Sequence, residues 1–294
     1  MKIYLIIDNK PTILTSSNLH TNDRVIDPEY LEKGEFTICS TCTGFGDWAT
    51  LSAMPRLLKK KYPHCKVYIP SKNWLMKVLN PIINYDGAPY VWPDRFYYVE
   101  KIFNNNPYID GFKDDISGIV YTECFRYGSE EEIGTPLVKK MLRFYGLTDD
   151  EIGLAMPEIY LSDEDVDYYT SKFVPSQPYG CLTLSTRWSE NATFERAKAI
   201  KEVINFYKIP IIYFGDTKIE DTHFRDYSNV STNLIEITND IWFQTFIRMN
   251  ARYNVGNQTG VLEILPKYSE TFMLPHVYED FKFFAVSGVR YLDV

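Results

Sequence analysis

Three polar loops, each placed between an apolar run and a segment with helical spacing, constrain the fold of this chain more than any other feature. The first loop, residues 43–47, follows the apolar run 35–39 and precedes a helix-like segment. The loops at residues 185–187 and 256–260 have the same context. Strand–loop–helix units repeated along a chain build parallel sheets covered by helices. The predicted fold class is therefore α/β, with loops that gather at the carboxyl ends of the strands.

The alternation restarts near the middle of the chain, and 294 residues suit two domains better than one core. We predict an N-terminal extension over residues 1–34 that packs on the first domain, a first domain over 35–155 and a second over 156–294. The extension reads as irregular, with a hairpin turn at residues 8–11. Within the first domain, residues 47–61 predict a helix interrupted at Pro55, and residues 97–100 predict a strand.

Charge and cysteine content exclude several classes of protein. The formal net charge is -8, without a long basic run, which argues against a nucleic-acid partner. Cys39 and Cys42 form a C-x-x-C pair that no second pair completes, so reduced structural thiols are expected. The apolar run 3–7 is too short for a transmembrane segment or a signal peptide, and a cytoplasmic protein is predicted.

The first two loops carry groups that suit a ligand site. The glycine at Gly46 lets a backbone approach a ligand closely, and Asp47 is either a helix N-cap or a catalytic carboxylate. Ser185, Thr186 and Arg187 suit a phosphate through charge-assisted hydrogen bonds, or else cap a helix beside a surface arginine. Both alternatives stay open for each loop.

The third loop is either an anion site at a helix N-terminus or a capped polar turn. It contains Gln258, Thr259 and Gly260, and Glu263 follows one turn later. The four histidines are scattered, so no metal constellation is visible and no metal or other cofactor is expected. Helix termini and arginine would then supply the positive potential for phosphate chemistry.

Taken in order, these segments resemble the heptosyltransferase-like glycosyltransferases of family 9, which have the GT-B fold of two Rossmann-like domains facing across a cleft. The resemblance runs from about residue 35 to 270. Its segments are the Gly44-Phe45-Gly46-Asp47 motif with the helix up to Pro63, residues 106–110, residues 142–146 with 159–162, residues 185–187, and residues 255–260.

The resemblance implies an inverting, metal-independent transfer of a sugar from a nucleotide-sugar donor to a hydroxyl of a glycan, a glycolipid or another acceptor. Asp47 would be the general base, and Arg187 would offset charge on the leaving group. Gly215 and Glu220, or its neighbour Asp221, would lie near the nucleoside. The donor-binding set it implies is Gly46, Ser185, Thr186, Gly215, Glu220, Gln258, Thr259, Gly260 and Glu263.

Three departures from the family pattern define the alternatives. Gln258 stands where the family usually has Asp, Glu263 where it usually has His, and the Lys common after the family's loop has no clear counterpart near Arg187. A degenerate GT-B protein that binds a nucleotide or glycan, or acts structurally, is therefore the alternative function. A nicotinamide-dependent enzyme is less favoured, because the first loop lacks a third glycine and no Tyr-x-x-x-Lys stands in a plausible place for such an enzyme.

Overall fold

The computed structural model describes residues 3–7, 10–14, 34–39, 45–79, 96–116, 118–120, 137–153, 155–184, 194–215, 218–227, 230–233, 240–275 and 287–293. The chain divides into two compact units, residues 1–160 with 282–287 and residues 161–281 with 288–294.

The first unit contains, in chain order, β1 (Ile3–Ile7), β2 (Lys10–Leu14), β3 (Glu35–Thr37), α1 (Phe45–Leu51), α2 (Met54–Lys61), β4 (Lys66–Pro70), α3 (Lys72–Trp74, continued by a π-helical turn over Leu75–Leu79), α4 (Phe96–Phe103), β5 (Gly111–Lys113), β6 (Gly118–Val120), α5 (Leu137–Phe144) and α6 (Asp149–Ile152). The second contains α7 (Asp163–Lys172), β7 (Gly180–Thr183), α8 (Phe194–Tyr207), β8 (Ile211–Phe214), a 3-10 turn (Ile219–Asp221), β9 (Val230–Asn233), α9 (Ile241–Met249), β10 (Tyr253–Asn257), α10 (Gly260–Glu263), β11 (Glu270–Leu274) and β12 (Val289–Tyr291).

Two three-stranded sheets form in the first unit. Strands β3, β4 and β5 lie side by side and parallel. In the other sheet β1 lies between β2 and β6 and pairs antiparallel with both. Strands β1 and β2 pair antiparallel, with Ile7 opposite Lys10, so Lys10 and Pro11 of the predicted turn lie in β2, and the irregular course predicted for this extension is wrong here. The N-terminal segment thus carries regular structure and joins a strand from later in the chain.

The interruption predicted at Pro55 comes slightly earlier in the structure. Helix α1 ends at Leu51, Ser52 and Ala53 form a turn, and α2 begins at Met54. Pro55 therefore lies in the first turn of α2. A proline is tolerated there because the first amides of a helix have no partner within the helix.

The strand predicted over residues 97–100 is wrong, because this segment belongs to α4. Phe96, Val99 and Phe103 are buried, and their spacing places them on one face of the helix. The Phe103 ring meets the Trp48 ring edge-on, with centroids 6.3 Å apart. Aromatic and β-branched residues favour strands in general, but here burial of a helical face against α1 decides the local structure.

The carboxylate of Asp110 accepts hydrogen bonds from both β4 and the end of α2. Its Oδ2 accepts hydrogen bonds from Lys59 Nζ at 2.6 Å and from the Val67 amide at 2.7 Å. Its Oδ1 accepts from Lys66 Nζ at 3.1 Å. Partial burial by itself would raise the pKa of Asp110, but these hydrogen bonds outweigh it and lower the pKa below its ordinary value.

A second carboxylate, Glu158, is fully buried near the end of the first unit. Arg56 Nε lies 2.5 Å from its Oε1, and the Tyr160 hydroxyl donates to its Oε2 at 2.6 Å. The Glu158 amide donates to Ser52 Oγ at 2.8 Å. Glu158 therefore connects the segment after α6 to both the α1–α2 turn and α2.

The sheet of the second unit has six parallel strands in the order β9-β8-β7-β10-β11-β12. Its core includes the ring of Tyr253, on which the partly buried ring of Tyr207 stacks with centroids 4.3 Å apart. Helix α9 begins at an N-cap, Asp240, whose Oδ1 accepts from the amides of Trp242 at 2.9 Å and Phe243 at 3.2 Å. The predicted α/β class with parallel sheets is confirmed.

Across the described parts of the chain, no helix combines the length and the apolar character that crossing a bilayer requires.

Candidate functional site

The strand order of the second unit creates a topological switch point between β7 and β10. From β7 the chain proceeds to β8 and β9 on one side of the sheet, and from β10 to β11 and β12 on the other. In open α/β sheets, ligands bind outside the carboxyl ends of two neighbouring strands at which the strand order reverses in this way. The loops after β7 and β10 are the second and third loops that the sequence singles out.

The two loops are joined where they begin. Asn257, the last residue of β10, donates from Nδ2 to the carbonyl oxygen of Leu184 at 3.3 Å. One residue earlier, a Cβ on Gly256 would lie 2.8 Å from the Thr183 carbonyl carbon and even nearer its oxygen. Only glycine fits at this position, because backbone atoms of β7 occupy the space of a side chain.

Gln258 and Glu263, both predicted donor-binding residues, lie together and are buried. Gln258 Nε2 donates to Glu263 Oε1 at 3.2 Å, and the Gln258 amide donates to the Leu274 carbonyl at 2.9 Å. The pair thus ties the loop after β10 to α10 and to β11. Glu263 supplies a carboxylate rather than a cation at this edge of the sheet.

Thr259 and Gly260 begin the helix that follows. Thr259 is the N-cap of α10, but its side chain makes no capping hydrogen bond. Its Oγ1 is buried and has no hydrogen-bond partner among the described residues. An orphaned buried hydroxyl at the switch point is a polar group that a ligand can satisfy.

Gly215 follows β8 directly and is buried at the same edge of the sheet. A Cβ there would run into the ring of Tyr213, which is also buried. Glu220 lies in the 3-10 turn, together with Asp221, and its side chain falls outside the described part of the structure.

The remaining predicted site residues are only partly described. Gly46 and Asp47 lie in the first turn of α1, where the Thr50 hydroxyl donates to the Gly46 carbonyl at 2.7 Å. The side chain of Asp47 falls outside the described residues, and so do Ser185, Thr186 and Arg187 entirely. Their roles stay predictions.

One charged residue at this edge was not predicted. Arg248, near the end of α9, is buried, and its Nε donates to Thr183 Oγ1 at 3.3 Å. The available signal is helical spacing: Ile241, Thr245 and Arg248 stand at positions i, i+4 and i+7, on one face. An arginine on this helix face indicates a buried cation, which the amino-acid composition alone does not reveal.

Metal and thiol chemistry have few candidates in the described regions. No group of three His, Cys, Asp or Glu side chains able to hold a metal ion occurs there. Cys39, Cys65 and Cys181 are buried thiols that form no disulfide bond. Burial raises the pKa of the Cys39 thiol, and that of Cys181 to about 12, which makes both poor nucleophiles at neutral pH.

Comparison with known proteins bears on the fold. No protein-family model matches the chain, and no curated protein matches its sequence. Among solved structures it is similar to a family 9 glycosyl transferase from Veillonella parvula, at 11% identity over 89% of this chain and 86% of that one, with a TM-score of 0.50. It is also similar to the ADP-heptose LPS heptosyltransferase II of E. coli (11% identity, 87% of this chain, 89% of that one, TM-score 0.44). A third similar structure is the fucosyltransferase NodZ from Bradyrhizobium (12% identity, 81% of this chain, 94% of that one, TM-score 0.41).

At such low identity the likeness to the Veillonella structure concerns the fold, and it extends over most of both chains. It agrees with the strand order of the second unit, which is the Rossmann order. The chain therefore has a GT-B fold.

Proposed function

We propose that this protein is a glycosyltransferase that moves a sugar from a nucleotide-sugar donor to a hydroxyl of a glycan or glycolipid acceptor. The observation that carries the proposal is the loop at residues 256–260. It comprises the last two residues of the switch-point strand β10 and the three residues that follow, in a chain whose fold is similar to that of a family 9 glycosyl transferase. In open α/β sheets this is the position where ligands bind.

The donor would lie along the carboxyl edge of the second unit. The buried Thr259 Oγ1 and the backbone amide of Gly260 offer hydrogen bonds to a phosphate. Ser185, Thr186 and Arg187, which follow β7, would hold the diphosphate from the other side of the switch point. Gly215, with Glu220 close by in sequence, would border the nucleoside at the end of β8.

The proposed reaction is a direct displacement at the anomeric carbon. The acceptor oxygen forms the new bond to that carbon as the bond to the donor phosphate breaks, so the configuration inverts. The nucleoside diphosphate leaves with the bonding electron pair, and Arg187 offsets its charge. Asp47 takes the proton of the acceptor hydroxyl as general base. No step in this scheme needs a metal ion, because arginine and backbone dipoles supply the positive potential.

Donor binding is tested by thermal unfolding of the full chain with UDP-, GDP-, ADP-, CMP- and dTDP-sugars. A ligand that binds only the folded state raises the melting temperature, by an amount set by its concentration relative to Kd. We expect one nucleotide series to raise it and the others to have little effect. Lack of any shift at millimolar concentration would contradict the proposal.

Turnover is tested with the donor identified in this way, by release of nucleoside diphosphate and by NMR of the anomeric product. Asp47→Ala should lower kcat by about 10²–10⁴-fold, the usual contribution of a general base. Asp163→Asn is the matched control, because Asp163 is exposed at the start of α7. Full activity of Asp47→Ala, retention of configuration, or activity that a chelator abolishes would each refute a part of the scheme. Donor binding without turnover would favour the degenerate GT-B alternative.

A further inference from the structure

Arg248 is a buried cation without an acidic partner among the described residues. It is 1% exposed, and its Nη1 is buried without a hydrogen-bond partner. The guanidinium carbon lies 3.6 Å from the centre of the Phe214 ring, and Nε donates to Thr183 Oγ1. The ring face and one hydroxyl are therefore the contacts that offset its charge.

Without a bound ligand, burial of the Arg248 charge lowers the stability of the folded protein. A buried charge loses its hydration, and a π face with one neutral hydrogen bond replaces only part of it. Burial accordingly lowers the pKa of Arg248 to about 10, which still leaves the side chain protonated at neutral pH. An apolar side chain of similar length would fill the same space without that penalty, so packing does not account for an arginine here.

The position of the guanidinium relates it to the candidate site. Helical side chains point back toward the helix N-terminus, so Arg248 extends from the last turn of α9 toward the carboxyl edge of the sheet. Thr183 and Phe214 are the last residues of β7 and β8, and they are register partners. The charge thus lies beneath the points where the chain leaves β7 and β8, one residue before Leu184 and Gly215.

We propose that Arg248 is a positioning residue that attracts the diphosphate of the nucleotide-sugar donor to the carboxyl ends of β7 and β8. This inference rests on the proposed function for the identity of the anion. The guanidinium acts through its electric field across the strand ends, because Arg248 is 1% exposed and its Nη1 is buried. Such a field is weakly screened by salt, unlike that of a surface arginine.

The expected size of the effect follows from Coulomb attraction. Two unit charges about 8 Å apart at an effective dielectric constant of about 20 attract strongly enough to change a binding constant about thirtyfold. Arg248→Met should therefore weaken the binding of a diphosphate by at least about thirtyfold. Arg248→Lys keeps the charge and should retain most of the affinity.

The experiment compares the full-length wild type with Arg248→Met, Arg248→Lys and a control, Arg252→Met. Arg252 is an exposed arginine that pairs with Glu270 at 3.3 Å, before the start of β10 and so at the opposite edge of the sheet. Urea unfolding is measured without added anion, then with inorganic pyrophosphate and with the nucleoside diphosphates. We expect Arg248→Met to be at least as stable as the wild type without anion and to lose the stabilisation by pyrophosphate. Arg252→Met should keep that stabilisation.

The outcomes separate this inference from the proposed function. Equal stabilisation of the wild type and Arg248→Met by pyrophosphate would overturn the role of Arg248 and leave the donor site standing. A less stable Arg248→Met with an unchanged anion response would assign Arg248 to structure alone, which also overturns the inference. Pyrophosphate binding that depends on Arg248, in a protein without sugar transfer, would support the inference and refute the proposed activity. A wild type that no anion stabilises would refute both.

Discussion

Replacing Gly256 with alanine tests the close approach of β10 to β7 at the switch point. The added Cβ would lie 2.8 Å from the Thr183 carbonyl carbon, and its separation from the carbonyl oxygen would be below any that real Cβ atoms show. Both obstructing atoms belong to the backbone, so a side-chain rotation cannot relieve the contact. The two strands must move apart at the centre of a six-stranded sheet.

The size of the destabilisation follows from what that movement disrupts. Forcing an extra carbon into a packed interior costs about 1–3 kcal/mol. Weakening two ladder hydrogen bonds between the strands adds about 0.5–1.5 kcal/mol for each. The free energy of unfolding of the second unit should therefore fall by about 2–6 kcal/mol in Gly256→Ala.

Urea unfolding gives the free energy, and hydrogen exchange followed by mass spectrometry shows where protection is lost. The peptides that contain β7 and β10 should exchange faster, while those of β3 and β4 should not change. Gly153→Ala is the matched control, because its backbone is helical and its new Cβ would lie 3.5 Å from the carbonyl oxygens of Asp149 and Asp150. That variant should gain about 0.4–1 kcal/mol by restricting the unfolded chain. Wild-type stability and unchanged protection of β7 and β10 in Gly256→Ala would refute the close approach.

Three further substitutions test polar contacts. Asp110→Asn should lower the free energy of unfolding by about 1.5–3 kcal/mol at pH 7, because hydrogen bonds such as that from Lys59 lose their charged acceptor. Because folding lowers the pKa of Asp110, the stabilisation from its carboxylate is present above the unfolded-state pKa and is lost as pH falls through the folded-state pKa. The difference in free energy of unfolding between Asp110→Asn and the wild type should therefore shrink in acid, and a constant difference would contradict this. Arg56→Met removes the guanidinium from the buried carboxylate of Glu158 and should cost about 3–5 kcal/mol in urea unfolding, with recovery when Glu158→Gln is added; a neutral single variant would show that this ion pair does not form. Asp240→Ala removes the N-cap of α9 and should cost about 1 kcal/mol in thermal unfolding, with Asp240→Asn nearly neutral; equal loss in both would mean that the carboxylate acts otherwise than as a cap.

The sequence predicts most of the framework where local signals and burial agree. The glycine at Gly256 follows an apolar run and precedes a polar turn, and both signals indicate a strand end at a ligand edge. The order of the strands in the sheet is not predictable in this way, because register between distant strands depends on contacts that one sequence does not display. The switch point between β7 and β10 is therefore a structural finding.

The wrong prediction at residues 97–100 shows where local signals mislead. Tyr97, Tyr98 and Val99 have high strand propensity, but the buried positions Phe96, Val99 and Phe103 follow a helical period. Tertiary packing overrides a propensity difference of about 1 kcal/mol or less per residue.

Arg248 was missed for a related reason. A charged residue near a helix end is ordinarily taken as a surface residue that favours the helix dipole. Only the structure shows its guanidinium over the Phe214 ring, away from solvent. The fold is thus more predictable than the chemistry of its buried polar groups, since burial of a charge depends on the whole packing.

The pairing of β1 with β6 has a consequence for synthesis on the ribosome. Strand β1 leaves the exit tunnel long before β6, so one of its edges finds its partner only when Val120 arrives to pair with Tyr4. Until then the nascent hairpin presents an open backbone edge, the kind of template on which strands of neighbouring chains add. Chaperone demand during translation should consequently peak before residue 120 emerges, and truncated chains that end before Gly118 should aggregate more readily than chains that include β6.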